Sequence, residues 1–177
     1  MFSKILIANR GEIACRVIRT AKAMGIGTVA VFSEADADAL HVAMADEAIA
    51  IGPAPTAESY LVSERILDAI KCSNADAVHP GYGFLSENPK FASDLAELGV
   101  TFIGPPVGAI QAMGDKIASK KLAQEVGVNS VPGDLEVLRD ADHAARVAEG
   151  LGYPVMLKAS AGGGGKGMRV AYTEAEL

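Results

Sequence analysis

Short apolar runs alternate with amphipathic stretches along the first hundred residues, and that alternation is the signature of β-α-β units. Lys4–Ala8 is an apolar run followed by the turn Asn9-Arg10-Gly11. From Glu12 to Met24 the residues Ile13, Val17, Ala21 and Met24 recur at helical spacing, and Gly25 closes the helix. Thr28–Phe32 is the next strand. Glu34 to His41 is acidic and polar, a loop or the start of a helix. Ala48–Ile51 reads as a strand, Ser59–Cys72 as a helix with Val62, Ile66 and Ile70 on one stripe, and Ala75–Val78 as a fourth strand. Asn88 and Pro89 supply an N-cap and first turn, after which Phe91, Leu95 and Leu98 are expected to face inward. Val100–Ile103 is a fifth strand. Five short strands alternating with helices predict an open parallel α/β sheet of Rossmann-like type over residues 1–113.

The pattern changes at Pro105-Pro106 and Gly114, where a second domain is expected to begin. Asp115 can cap a helix running through Ile117, Lys121 and Leu122 to Val126, and Asp142–Glu149 is a further helix with Ala144, Val147 and Ala148 inward. Tyr153–Leu157 reads as a buried strand, and Met168–Tyr172 as a second strand. The last residues before Leu177 look like the start of another helix. About 60 residues with one hairpin bury little core of their own, so residues 114–177 are expected to be the beginning of a larger domain.

Between those last two strands lies KASAGGGGKGMR, Lys158 to Arg169. Four consecutive glycines, Gly162, Gly163, Gly164 and Gly165, contribute no packing and carry a high backbone entropy cost. A backbone that must wrap a polyanion gains from them, because amide N–H groups without Cβ atoms can converge on phosphate oxygens. Lys158 and Lys166 bracket the loop with positive charge, and the stretch reads as a phosphate-covering flap at a hairpin tip. A dinucleotide fingerprint would open a helix here, and a strand pattern follows instead. A Walker A loop would place Ser or Thr where Gly167 stands. A flexible linker is the plain alternative, but linkers are seldom flanked by two apolar strands and two lysines.

Charge and composition narrow the function. A net charge of -6 argues against nucleic acid as a bulk partner, while leaving room for a local phosphate site. No apolar run approaches the ~20 residues of a membrane span, and the first strand begins almost at Met1, which leaves no room for a targeting peptide. Cys15 and Cys72 are too few for a disulfide framework or a zinc site, and the three histidines are scattered, so a reducing cytoplasm is expected. His79-Pro80-Gly81-Tyr82-Gly83 follows a strand at its C-terminal end, where open α/β sheets bind ligands. The two glycines let the Tyr82 ring project from a tight loop. His79 reads as a packed, hydrogen-bonded residue and not as an acid or base. Lys116 in the first turn of a helix calls for an anion nearby, although taken alone such a residue is more often a surface lysine. Glu12 and Arg16 are spaced to pair along the polar face of the first helix.

Three stretches, ILIANRGEIACRVIR at Ile5–Arg19, HPGYGFLSEN at His79–Asn88, and MGDK with KASAGGGGKGMR, together resemble the biotin carboxylase family over essentially the whole chain. The resemblance implies an N-terminal Rossmann-like domain followed by an ATP-grasp body with a mobile lid. It implies an ATP-dependent ligase that makes carboxyphosphate from bicarbonate and Mg-ATP and carboxylates biotin on a carrier domain. Within that family the motifs look most like an acyl-CoA carboxylase subunit, with propionyl-CoA the expected acyl group and methylcrotonyl-, acetyl- and geranyl-CoA the alternatives, a carboxyltransferase subunit as partner and an oligomeric assembly. It places ATP contacts at Lys116, Lys158, Gly162–Gly165 and Lys166, and a biotin contact at Tyr82. The Mg²⁺ ligands and catalytic base of the family fall outside these 177 residues, so neither a catalytic nor a metal residue is expected here. Another ATP-grasp ligase and a non-catalytic nucleotide-binding module are the competing readings.

Overall fold

The structure, a computed structural model, describes residues 1–114, 116–134, 136–158 and 167–177. It separates into two compact units, Met1–Gln111 and Ala112–Leu177.

In the first unit, β1 (Lys4–Ile7), β2 (Gly27–Phe32), β3 (Glu47–Ala50), β4 (Ala77–His79) and β5 (Thr101–Phe102) form one sheet in the order β3-β2-β1-β4-β5. All four pairings are parallel, with Ile5 opposite Thr28 on one side and Ala77 on the other. The central strands read as continuous apolar runs because both of their faces are covered. Side chains alternate across the sheet. Leu6, Val29, Val31 and Val78 join Ile66, Ile70, Phe91 and Leu95 in one core, while Ile5, Ile7 and Ala77 join Ala14, Ile18 and Ala21 in the other.

Helix α1 (Gly11–Ala23) rests on only part of the predicted stripe. Its buried residues are Ala14, Cys15, Ile18 and Ala21, whereas Ile13 and Val17 are half-buried and Met24 is exposed. Ala14 and Ala21 let the helix approach the sheet closely around the buried Ile18, while Ile13 and Val17 lie on its flank. The acidic stretch after β2 forms a 3₁₀ turn, Glu34–Asp36, before the short helix α2 (Leu40–Met44). Helix α3 (Ser63–Ser73) starts later than the pattern predicts. Thr56–Glu58 forms a 3₁₀ turn, and the buried Ser59 hydroxyl donates to Pro55 O at 2.9 Å. Helix α4 (Pro89–Glu97) begins as predicted, with Asn88 Oδ1 accepting from Phe91 N at 3.1 Å. Leu98 lies past its last turn and is exposed, so the inward stripe ends at Leu95. Helix α5 (Val107–Gly114) follows a proline pair that reads as a break. Pro106 O accepts from Ala109 N and Ile110 N, the role open to proline at a helix start.

The second unit holds α6 (Lys116–Glu125), α7 (Ala141–Leu151) and an antiparallel hairpin of β6 (Val155–Lys158) and β7 (Met168–Ala171). Asp140 caps α7 by accepting from His143 N at 2.7 Å. Lys158 pairs with Met168 in register, so the strand pattern on both sides of the glycine run is that of one hairpin. The expectation of a buried first strand fails: Met156 and Lys158 are exposed, and Val155 and Leu157 are only half-buried. Among the described residues β6 has β7 alone as a sheet neighbour, and two strands cannot cover both of their faces. Glu174–Glu176 is a 3₁₀ turn. Among the described residues no helix is long and apolar enough to cross a membrane.

Candidate functional site

The order β3-β2-β1-β4-β5 reverses direction between β1 and β4, and the loops that leave these two strands meet at the carboxyl edge of the sheet. In an open α/β sheet that crevice is where ligands bind. Here the turn Asn9-Arg10-Gly11 comes from β1, and the loop from Pro80 to Ser86 comes from β4.

Tyr82 stands on that loop with its side chain largely in solvent, 59% exposed, as the glycine-flanked sequence predicts. Its hydroxyl donates to Glu12 Oε1 on α1, and that hydrogen bond raises the phenol above its ordinary value, against a smaller opposing effect of Arg16. Glu12 therefore turns to Tyr82 and not to Arg16, its neighbour one helical turn on. Beside the ring lies an open, mainly apolar cleft of about 640 Å³, lined by Phe2, Ile13, Arg16, Val17, Tyr82 and Ile103 among others. An aromatic ring next to a cleft with an apolar floor and arginine at its rim suits a small, largely apolar ligand with a polar end.

His79 closes β4 and is half-buried. Its Nδ1 accepts from Gly81 N at 3.0 Å, and burial lowers its affinity for a proton, so it sits neutral at pH 7 as a structural acceptor.

Four residues that hold this loop carry no signal in the sequence reading. Asn9 is buried, and its Nδ2 donates to both Pro80 O and Tyr82 O at 2.8 Å, while its Oδ1 accepts from Arg10 N at 2.9 Å. Arg10 lies over the rings of Tyr60 and Phe84, 5.6 and 5.9 Å from their centroids, and pairs with Asp36 at 3.2 Å. The two rings stack at 5.1 Å. Tyr60 Oη donates to Asp36 Oδ2 at 2.7 Å and accepts from Ser33 N at 3.1 Å. Burial, reinforced by Asp36, pushes the Tyr60 phenol up to about 12. Burial also pulls Asp36 upward, but the hydrogen bonds from Tyr60, Ser33 and Arg10 outweigh it and hold the carboxyl below its ordinary value. The hint available from sequence was only positional: two polar residues directly after a buried strand, at the ligand edge of a parallel sheet.

In the second unit Lys158 ends β6 with an exposed side chain. Its charge is not buried, and it stands in sequence directly before the stretch that leads to the glycine run. Lys116 is the first residue of α6. Gly162, Gly163, Gly164, Gly165 and Lys166 lie outside the described residues.

A family model for the biotin carboxylase N-terminal domain matches residues 1–110, and one for the ATP-binding domain of the carbamoyl-phosphate synthase L chain matches residues 115–177. The chain is 63% identical over 176 residues to the propionyl-CoA carboxylase alpha chain of Ruegeria pomeroyi, covering 99% of itself and 26% of that protein. Among solved structures, a biotin carboxylase–β,γ-ATP complex from Campylobacter jejuni superposes with a TM-score of 0.95 at 49% identity, over 100% of this chain and 40% of that one. The biotin carboxylase domain dimer of Hydrogenobacter thermophilus 2-oxoglutarate carboxylase, in complex with MgADP, ADP and bicarbonate, gives 0.93 at 53% identity over 99% of this chain and 39% of that one. The chain thus spans about a quarter of the length of the curated relative it matches.

Proposed function

The chain belongs to the biotin carboxylase family, and on that premise we propose that it is the N-terminal part of the biotin carboxylase subunit of an acyl-CoA carboxylase. The complete subunit is an ATP-dependent ligase that uses bicarbonate and Mg-ATP to carboxylate biotin on a carrier domain. Propionyl-CoA is the acyl group that a partner carboxyltransferase then carboxylates, within an oligomeric assembly in the cytoplasm. The observation that carries this reading is 63% identity over 99% of the chain to a propionyl-CoA carboxylase alpha chain. The carbamoyl-phosphate synthase match covers only residues 115–177, and the biotin carboxylase match over residues 1–110 separates this chain from that branch.

Residues 1–113 are assigned to the Rossmann-like domain and residues 114–177 to the beginning of the ATP-grasp domain, with the glycine-rich hairpin as its lid. Tyr82 is assigned to biotin, which the exposed ring and adjoining cleft support. Lys116, Lys158, Gly162–Gly165 and Lys166 are assigned to ATP. Lys158 at the end of β6 supports this, because its exposed ammonium is free to meet a phosphate at the mouth of the loop. No residue of this chain is assigned to Mg²⁺ or to proton transfer. Without metal ligands one wall of a nucleotide site cannot stabilise phosphoryl transfer, so the 177-residue chain by itself should not turn over.

The test is steady-state kinetics on the complete subunit, which should show bicarbonate-dependent ATP hydrolysis stimulated by free biotin. Lys158→Ala and Lys116→Ala should each weaken ATP by about ten- to a hundred-fold, the worth of one charge-assisted hydrogen bond. Lys166→Ala should lower kcat more than it raises the KM for ATP, because it acts in the closed lid. Tyr82→Ala should raise the KM for biotin and leave ATP hydrolysis unchanged. A Lys158→Ala subunit that uses ATP like the parent would make the hairpin a structural element and sink the flap assignment.

A further inference from the structure

Tyr82 has little packing to hold it: its side chain is mostly exposed, and its hydroxyl is anchored only to Glu12 on the surface of α1. Its position must then be set through its main chain. The loop that carries it is built from unusual backbone, with φ of +66° at Gly81, +65° at Gly83 and +43° at Phe84. A left-handed phenylalanine is uncommon and persists only where its surroundings hold it. Here the holder of the distal end is the stack of Phe84 on Tyr60 beneath Arg10.

The proximal end has a different holder. Both amide protons of Asn9 are spent on the carbonyls that flank Gly81, those of Pro80 and Tyr82, each at 2.8 Å. The side chain also fills the space where a Gly81 Cβ would stand: that atom would lie 2.6 Å from Asn9 Nδ2 and 2.9 Å from Cγ. Asn9 is only 4% exposed and follows directly on β1, so it is itself fixed by the central strand of the sheet. We propose that Asn9 is the positioning residue for Tyr82: its carboxamide spans the Gly81 turn and sets the aromatic ring at its place beside the cleft. This rests on the assignment of Tyr82 to biotin, and Asn9 acts through Tyr82 without touching the ligand.

Asn9→Asp keeps the shape and the acceptor for Arg10 N, but places a carboxylate against two carbonyl oxygens with no proton to offer. In the complete subunit it should raise the KM for free biotin by about ten-fold, which is about 1.4 kcal/mol, and leave the KM for ATP within two-fold of the parent. A role in folding alone would move both constants or neither. The pH dependence adds a second signature. Burial raises the value of the introduced carboxyl, and on protonation it regains one donor. The ratio of its biotin KM to that of the parent should therefore shrink between pH 8 and pH 6, whereas Asn9→Ala should show no such recovery.

Hydrogen exchange on the 177-residue chain supplies a measurement that needs no activity. Amides of residues 81–85 should exchange faster in Asn9→Asp, and those of β1 and α3 should not. Should Asn9→Asp lose its fold altogether, Gly81→Ala decides, because it pushes the loop off an intact Asn9 and should give the same local acceleration and the same biotin-selective defect. Tyr82→Ala, assayed in parallel, separates the two claims. If it raises the biotin KM and Asn9→Asp and Gly81→Ala do not, positioning by Asn9 is overturned and the Tyr82 assignment stands. If Tyr82→Ala leaves biotin kinetics unchanged, the assignment fails, and faster exchange confined to residues 81–85 then upholds the hold on the loop while unchanged exchange overturns it.

Discussion

Tyr60→Phe isolates one hydroxyl at the centre of the polar network beneath the site loop. The ring stays, and with it the stack on Phe84 at 5.1 Å and the guanidinium of Arg10 above both. Two hydrogen bonds go. The bond to Asp36 Oδ2 at 2.7 Å is charge-assisted and contributes about 1.5–3 kcal/mol. The bond from Ser33 N at 3.1 Å is neutral, but Ser33 is fully buried, and an orphaned N–H there costs about 1–3 kcal/mol. Removing a buried hydroxyl also removes its own desolvation cost, so a net loss of about 2–4 kcal/mol is expected. For a unit of this size that is roughly a 4 °C fall in Tm per kcal/mol, or about 8–16 °C. Native-state hydrogen exchange at the amides of Leu6 and Ile7 reads the stability of this unit alone, since the central strand opens only on global unfolding.

A pH series sharpens the test. Asp36 is held below its ordinary value, so the stability it contributes is complete above the unfolded carboxylate value and is lost as pH falls through the folded one. Tyr60→Phe removes one of the bonds that hold it down, and should flatten the stability profile on the acid side of about pH 4. A loss below about 0.5 kcal/mol, or an acid limb identical to that of the parent, would show that the network is not coupled as its distances imply.

Asp46 offers a second pH test: the hydrogen bond from Lys22, with those from Thr28, holds its carboxyl down from 3.8 to about 2. The stability this adds is present above pH 3.8 and lost toward pH 2, and Asp46→Asn should erase that acid limb in urea midpoints, modestly because the carboxyl is half exposed. Asn88→Ala should cost about 1 kcal/mol in the same urea titrations by leaving Phe91 N without its cap, and a neutral result would mean water replaces it freely.

The elements read best from sequence are those whose burial is written locally. β1 and β2 are apolar runs because both faces are covered, and Asn88-Pro89 announces its helix within two residues. What the sequence conceals is whatever depends on distant partners. Ile13 and Val17 look like part of a buried stripe until the sheet selects Ala14 and Ile18 beside Ala21. Glu12 has Arg16 one turn away, yet bonds to Tyr82, 70 positions along the chain. Asn9 reaches carbonyls 71 and 73 positions away, and Asp36 meets Tyr60 24 positions on. The exposed position of the Tyr82 ring was legible, because glycines on either side of an aromatic ring at a strand end are a local signal. The residues that hold its loop were not.

The strand order also bears on how the chain folds as it is synthesised. Of the five strands of this sheet β1 is made first and ends up central, with β2 on one edge and β4 on the other. Its Ile5 can pair with Thr28 early, but its second partner is Ala77. At roughly 5–20 residues per second, the second edge waits some 2–10 s for β4 to leave the ribosome. During that interval Lys4–Ile7 presents an unpaired, apolar strand edge, the feature most prone to recruit a neighbouring chain. Slow codons between β2 and β4 would lengthen this exposure, and a chaperone that binds extended apolar segments should be found on nascent chains that have released β1 and β2 but not β4, and should leave once β4 docks.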